Sequence, residues 1–427
     1  MNIKSLHQLF LESNTVCTDT RKIANNCLFF ALKGDNFDGN AFAKDALKKG
    51  ARYAIVDNKE YVINDNYILV DNVLNTLQQL ASFHRAYLNL KIIALTGSNG
   101  KTTTKELINS VLQKKYNTIA TIGNLNNHIG VPLTLLSMDK NTEIGIVEMG
   151  ANHIKEIEFL CNITNPDFGY ITNFGKAHLE GFGSIDGVIK AKSELYNHLK
   201  ANNNLIFLNA DDITQVQQLN GYKNCYTFGS KTEENTNVKF IDANPFVKVT
   251  FNNLTIKSKL IGNYNFNNIS AAIAIGEYFK VSDSDIKEAI ESYIPENNRS
   301  QIIKKGSNTI VLDAYNANPT SMKAALNNFE NQSGSIKTAI LGDMFELGDD
   351  AIKEHQYIVD LASTMLLDNV ILIGEHFYKT KIVTPKITVF RTFDDLKIKL
   401  QSQSITNSSI LIKGSRGMAL ERVLDLL

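Results

Sequence analysis

The sequence predicts an α/β protein of three domains, and three observations carry that reading. From Lys91 onward, short apolar runs rich in β-branched residues alternate with longer stretches of helical period, the pattern of a parallel sheet with crossover helices. A second series of the same kind fills the last third of the chain. The 427 residues also exceed what one core holds at about 150 residues per domain.

The first domain, residues 1–88, is a small α/β unit. CLFFALKG (27–34), ARYAIVD (51–57) and YILVDN (67–72) read as strands, and VLNTLQQLASFHRAYL (73–88) as a helix leading out of it. The central domain, 89–295, carries the strands KIIALTG (91–97), IGIVEMG (144–150), FGYITNF (168–174) and NLIFLNA (204–210), each ending in a polar or glycine-rich turn. Its period-two segment 246–260 reads as a hairpin, followed by helices over 268–280 and 284–294, with a boundary near Pro295. In the third domain, 296–427, NTIVLDAY (308–315), KTAILGDM (337–344), NVILIGE (369–375) and SSILIKGS (408–415) predict a doubly wound, Rossmann-like sheet.

Composition narrows the function. Hydrophobic residues make up 43% and charged residues 21%, which excludes a disordered or fibrous chain. Basic and acidic residues number 44 each, so no overall positive charge draws the chain to nucleic acid or anionic lipid. Cys17, Cys27, Cys161 and Cys225 are too scattered for a disulfide framework or a CxxC metal site and read as free thiols. Nothing resembles a signal peptide or the ~18 apolar residues of a membrane span, so a cytoplasmic protein is expected.

The strongest local signal is TGSNGKTTTKE (96–106), which follows a strand and opens a helix. Gly97, Ser98, Asn99 and Gly100 form a loop whose N–H groups can approach phosphate oxygens. Lys101 can reach the β/γ-phosphates, and Thr102, with Thr103 behind it, can ligate magnesium. The generic phosphate-loop pattern needs glycine at position 95, where this chain has Leu95. Glu148 ends a strand at the same sheet edge and suits a magnesium ligand, although a strand-end Glu alone is more often a surface residue. His178 and Glu180 lie in a glycine-bounded loop, and Lys192 and Glu194 in the following helix; the residues themselves assign no role to Lys192. At the second sheet edge, DAYNANP (313–319), LGDMFELG (341–348) and KGSRGM (413–418) bring Asp313 for a ribose and Lys413 and Arg416 for a carboxylate or phosphate, each turn also having an ordinary conformational explanation.

Taken together, these motifs resemble the ATP-dependent Mur ligases of peptidoglycan synthesis and their relatives the folylpolyglutamate synthases. TGSNGKTT is similar to that family's own phosphate loop, which accounts for Leu95. TIGNLNNHIGVP (121–132), VEMGA (147–151), NPDFGYITNFGKAHLEGFGS (165–184), AKSE (191–194) and NYNFNNISAAIA (263–274) follow in family order, so the likeness spans the chain. DAYNANP and LGDMFELG, with TDTR (18–21) and LFFALKGDNFDGNAF (28–42), are similar to the branch that adds D-alanyl-D-alanine to UDP-N-acetylmuramoyl-tripeptide.

The resemblance implies an amide ligase that activates a carboxylate as an acyl phosphate. It implies ATP and two magnesium ions, the first held by Thr102 and Glu148, the second by His178, with a carbamylated Lys192 as a further ligand. Asn268 is expected at the adenine, Arg299 at the phosphates and Asp313 at the ribose. Thr18, Asp19, Thr20 and Arg21, with Asn124, Asn127, Asn316, Asn318, Lys413 and Arg416, are expected to contact the two substrates. A monomer is expected. The rival readings are a sister ligase with another acceptor and a nucleotide-binding protein that has lost turnover.

Overall fold

The computed structural model describes residues 1–427 except 232, 297, 333 and 335. At the amino end, Val16–Cys17, Leu28–Phe30, Tyr53–Val56 and Tyr67–Leu69 pair in that order as a parallel four-stranded sheet. The strands are shorter than the apolar runs that announced them. The sequence-read helix 73–88 is present as Val73–Leu88, capped by the Asn72 side chain and closed by Asn89 in the left-handed conformation (φ 48°).

That helix joins the first sheet to the rest of the molecule. Leu77, Leu80 and Ala81 share one apolar cluster with Leu6 and Phe10 on one side and Leu135 and Met138 on the other. The buried Arg85 guanidinium donates to Thr164 O and Asn165 O, both at 3.1 Å, and pairs with Asp167 at 2.9 Å. It thereby satisfies carbonyls that the end of helix Glu156–Thr164 leaves open.

Nine strands form the central sheet. Thr118–Ala120, Ile144–Glu148, Lys91–Thr96, Phe168–Ile171, Leu205–Asn209, Cys225–Gly229 and Thr236–Asp242 run parallel in that order, and the antiparallel strands Phe246–Phe251 and Leu254–Ile261 extend one edge. Alternate residues face opposite layers. Ile92, Ala94, Ile171 and Ile206 pack toward Leu160, Leu195 and Leu199, while Ile93, Leu95, Ile146, Tyr170 and Phe207 pack toward Leu107, Ile108, Val111 and Ile273. Lys91–Thr96 lies between Ile144–Glu148 and Phe168–Ile171, with Leu95 level with Glu148 and Thr96 level with Ile171. The loops after these three strands must therefore meet, and such a switch point in an open sheet is where ligands bind.

The third domain is doubly wound as the alternation predicts. Its order is Gln301–Lys305, Asn308–Asp313, Ser409–Lys413, Lys337–Gly342, Asn369–Ile373 and Ile387–Phe390, all parallel except the first pair. Val311, Ala339, Leu341 and Leu411 face Met322, Leu326 and Ile358, and Ile310, Leu312, Ile340 and Ile412 face Leu396, Leu400 and Val423. Two strands with no prior sequence signal, Thr118–Ala120 and Gln301–Lys305, lie at sheet edges and bury no residue fully, whereas two others, Cys225–Gly229 and Thr236–Asp242, lie inside the central sheet and bury Phe228 and Val238. Among the described residues, no helix is long and apolar enough to cross a membrane.

Where the first two domains meet, His7 Nε2 and His84 Nδ1 are 2.9 Å apart, and His84 Nε2 is 2.9 Å from Met138 O. A carbonyl can only accept, so His84 carries its proton on Nε2 and takes the His7 N–H on Nδ1, with both rings neutral. Burial, with help from His84, lowers the His7 pKa to about 4, and burial also lowers that of His84. Below pH 6.5 the unfolded chain gains protons that the folded pair refuses, so stability is fully present above that pH and falls toward about pH 4. Urea midpoints measured across this window should drop less steeply in His7→Gln than in the wild type; equal slopes would remove the pair from the acid response.

Candidate active site

The loops at the central switch point open into a cleft of about 1280 Å³. Leu74, Asn75 and Gln78 line it from the first domain, Ser98–Thr103, Glu148 and His178 from the second, and Arg299, Asp313, Tyr315, Asn316, Asn318, Lys413 and Arg416 from the third.

The phosphate loop begins at Gly97 because Thr96 and Leu95 are still strand; the side chain of Leu95 is fully buried in the sheet. Gly97 has φ +146°, and a Cβ there would lie 2.0 Å from Thr172 Oγ1. Gly100 has φ +78° at the start of helix Lys101–Leu112, and its Cβ would lie 2.7 Å from Asn268 Oδ1. The neighbouring strand end braces the loop. Thr172 Oγ1 donates to Asn99 O at 2.6 Å, Asn99 N to Asn173 Oδ1 at 3.1 Å, and Ser98 Oγ to Gly175 O at 2.7 Å. Lys101 Nζ folds back onto Gly97 O at 2.7 Å and Ser98 O at 3.3 Å. Burial and the nearby Arg299 lower its pKa, against the attraction of Glu148.

Glu148 is almost wholly buried, and its two oxygens differ. Oε1 accepts from Asn126 Nδ2 at 2.8 Å, whereas Oε2 is buried with no hydrogen-bond partner among the described residues. An unpaired carboxylate oxygen beside a phosphate loop fits a cation, since leaving it bare costs about 1–3 kcal/mol or more. Thr102 is also buried at the helix start, within the same lining.

Lys192 sits behind the lining, 1% exposed, with Nζ 3.3 Å from Ala151 O and 5.2 Å from the Phe182 ring centroid. Burial drives its pKa well below the usual lysine range, and repulsion from Lys101 adds to this against Glu156 and Glu194. Both effects favour the neutral amine over the ammonium. Among the described residues, no three His, Cys, Asp or Glu side chains converge as a metal cluster. A carbamate on Lys192 would add an anionic oxygen donor behind the lining.

His178, in the left-handed conformation with φ 51°, begins the short helix Leu179–Phe182. Its Nδ1 lies 2.5 Å from Glu346 Oε2 of the third domain, and this contact keeps the Glu346 carboxyl below its usual pKa. Lys176 Nζ meets the buried Glu354 at 2.6 Å, Lys176 N donates to Thr320 Oγ1 at 3.0 Å, and Asn318 Nδ2 donates to Asn99 Oδ1 at 2.8 Å. The third domain is therefore closed onto the phosphate loop.

On that side Arg299 stacks on Tyr315, 3.6 Å from the ring centroid, and its Nε is buried without a partner among the described residues, as suits an anion. Asp313 accepts from Lys413 Nζ at 2.6 Å and from Ser300 N at 3.2 Å, and Ser300 Oγ is 2.9 Å from the Tyr264 hydroxyl. Asn268, expected at adenine, has its carboxamide taken up by Thr104 Oγ1 at 3.0 Å and Asn265 Oδ1 at 2.7 Å. It buttresses Gly100 in this structure. Asn127 caps Gly130–Leu136 through Gly130 N at 2.9 Å, and Asn124 and Asn127 both line the cleft.

Thr18, Asp19, Thr20 and Arg21 do not line the cleft. Asp19 caps the turn Thr20–Lys22 and holds the exposed Arg21 guanidinium at 2.8 Å. Sequence reasoning missed Asn126, Tyr315 and Glu346. Asn126 lies between the two asparagines it selected, but only the register of the fold shows which one reaches Glu148.

Replacing Gly97 with alanine should cost about 1–3 kcal/mol of stability from overpacking against Thr172 and remove the stabilisation by ATP seen in thermal unfolding. An unchanged midpoint with an intact ATP response would show that the loop tolerates a side chain there.

The chain matches three family profiles in order: "Mur ligase family, catalytic domain" over residues 12–85, "Mur ligase middle domain" over 95–276, and "Mur ligase, glutamate ligase domain" over 298–416. It is 36% identical to the UDP-N-acetylmuramoyl-tripeptide–D-alanyl-D-alanine ligase of Bacillus subtilis, over 96% of this chain and 92% of that one. The enzyme of the same name from Escherichia coli is 32% identical over the same shares. A crystal structure of MurF from Acinetobacter baumannii superposes with TM-score 0.87 at 30% identity, covering 100% of this chain and 98% of that one. MurF from Thermotoga maritima, solved in complex with ADP, gives 0.84 at 27% identity over 98% and 97%. Matches of this identity along the whole length, over a cleft whose loops carry the family's motifs, mean that the chain belongs to the Mur ligase family.

Proposed function

We propose that this protein is an ADP-forming ligase that joins D-alanyl-D-alanine to UDP-N-acetylmuramoyl-tripeptide at the expense of ATP, giving the UDP-linked pentapeptide of peptidoglycan synthesis. The observation that carries the reading is likeness along almost the whole chain to enzymes of that name, at 36% and 32% identity. It works as a cytoplasmic monomer, with boundaries near residues 88 and 295 separating UDP-substrate, ATP and acceptor domains.

The geometry supports this chemistry residue by residue. The N–H groups of Ser98–Thr102 and the start of helix Lys101–Leu112 favour the triphosphate. Lys101 exchanges its loop carbonyls for the β/γ-phosphates, and Arg299 reaches them from the third domain with its unpaired Nε. Asp313 is offered to the ribose, and Asn268 would meet the adenine edge through the capacity that Thr104 and Asn265 leave on its carboxamide. Thr102 and Glu148 would hold one magnesium ion and His178 with carbamylated Lys192 a second, and bound there the ions would supply positive charge to offset that on the transferring phosphoryl group. A carboxylate is a poor electrophile, so the tripeptide's terminal carboxylate first attacks the γ-phosphorus and ADP leaves. The acceptor amine then attacks the acyl phosphate carbonyl, loses a proton, and the tetrahedral adduct expels phosphate as the amide forms. Contacts between the second and third domains exclude water from the acyl phosphate. Lys413, Arg416, Asn316 and Asn318 face the acceptor, Asn124 and Asn127 the peptide, and Thr18–Arg21, outside the cleft, the UDP end.

Phosphate release should require magnesium, UDP-N-acetylmuramoyl-tripeptide and D-alanyl-D-alanine together. Release with a different acceptor would move the protein to a sister ligase, and none with any acceptor would make it a nucleotide-binding protein. Lys101→Ala should abolish release while binding the UDP-tripeptide nearly as well as the wild type in calorimetry; a large loss of that binding would contradict the division of labour between the domains.

A further inference from the structure

We propose that Glu346 is a positioning residue for His178, and that through it closure of the third domain sets the imidazole for metal binding. The proposal rests on the reading of His178 as a magnesium ligand. An imidazole serves a cation only through an unprotonated nitrogen. The partner of its other nitrogen decides which one that is, and metal-bound histidines usually give that second N–H to a carboxylate or carbonyl.

Among the described residues, nothing in the second domain does this for His178. Its Nδ1 is buried, and the group beside it is the Glu346 carboxylate, 2.5 Å away, reached from the turn after strand Lys337–Gly342. That contact lacks the in-line direction of a hydrogen bond, so a small rotation of the ring or carboxylate completes it. Among the described residues no protein group hydrogen-bonds Nε2, and His178 lines the cleft. With the proton on Nδ1, Nε2 is left as the donor.

The backbone is built for the encounter. His178 and Glu346 both take the left-handed conformation, φ 51° and 61°, which side-chain-bearing residues seldom adopt. Glu346 O accepts from Glu180 N at 3.1 Å, so the two strained turns are locked to each other as well as through their side chains. Lys176 with Glu354 at 2.6 Å anchors the same loop two residues earlier. An open third domain would carry Glu346 away and leave the ring free in rotation and tautomer. Closure would then complete the metal position as well as exclude water.

The test is binding of Mn²⁺, followed by the electron paramagnetic resonance of the free ion, to the full chain saturated with a non-hydrolysable ATP analogue. Glu346→Ala should weaken the weaker-binding ion about tenfold with analogue affinity unchanged. Glu346→Gln, whose amide oxygen still accepts from Nδ1–H, should stay close to wild type, and Glu346→Ala should add nothing in a His178→Ala background. Wild-type Mn²⁺ binding by Glu346→Ala, a Gln variant as weak as Ala, or an undiminished loss in the His178→Ala background would each overturn the proposal. Acceptor-dependent phosphate release by the wild type is scored separately, so a wrong acceptor assignment and a wrong role for Glu346 give different results.

Discussion

The site depends on two buried lysines, Lys101 in the cleft lining near Glu148 with its bare oxygen, and Lys192 behind that lining. Burial lowers the pKa of both Lys101 and Lys192, and Lys101 lowers that of Lys192 further. Lys101 resolves its position by turning onto the carbonyls of its own loop, a posture that phosphate oxygens can replace. Among the described residues, Lys192 Nζ has one long hydrogen bond, to Ala151 O, and an aromatic face. A neutral amine is the form that can add carbon dioxide, and the proposed carbamate would place an anion where Lys101 now repels a cation. The sheet imposes this arrangement, because strand Lys91–Thr96 lies between the strands that lead to Glu148 and to the His178 loop.

Closure follows from the same placement. The segment Thr172–Gly175 braces the phosphate loop, and the chain just beyond it meets the third domain through Lys176 and His178. A ligand change at Gly97–Lys101 thus adjoins the groups that hold the domains together. Asn318 caps helix Pro319–Glu330 and also reaches Asn99, so one side chain serves local structure and domain contact. The first domain is fixed differently, by Arg85, the His7–His84 pair and the apolar face of Val73–Leu88, none of which touches the phosphate loop.

Much of the fold was legible in the sequence because its signals are local. Runs such as KIIALTG and SSILIKGS are buried on both faces, and the helix over 73–88 carries its own cap in Asn72. The phosphate loop was legible for the same reason, since Gly97, Gly100, Lys101 and Thr102 form one strand–turn–helix unit. Edge strands such as Gln301–Lys305 escaped because their residues are half-exposed and spell no apolar run. Lys192 on a helix looks like any solvated cation until the fold buries it, and only family resemblance singled it out. Asn126 and Glu346 matter through partners 22 and 168 positions away, distances over which periodicity carries no information. The TDTR motif shows the converse, a recognisable string that the fold places outside the main cleft.

The proposed carbamylation of Lys192, whose burial favours the neutral amine, is open to direct measurement. Purified protein equilibrated with ¹³C-bicarbonate and magnesium should show a single slowly exchanging carbamate carbon in its ¹³C spectrum, absent from Lys192→Arg and strengthened by ATP. A wild-type spectrum without that resonance, from protein that still turns over, would contradict the account and leave Lys192 a buried amine.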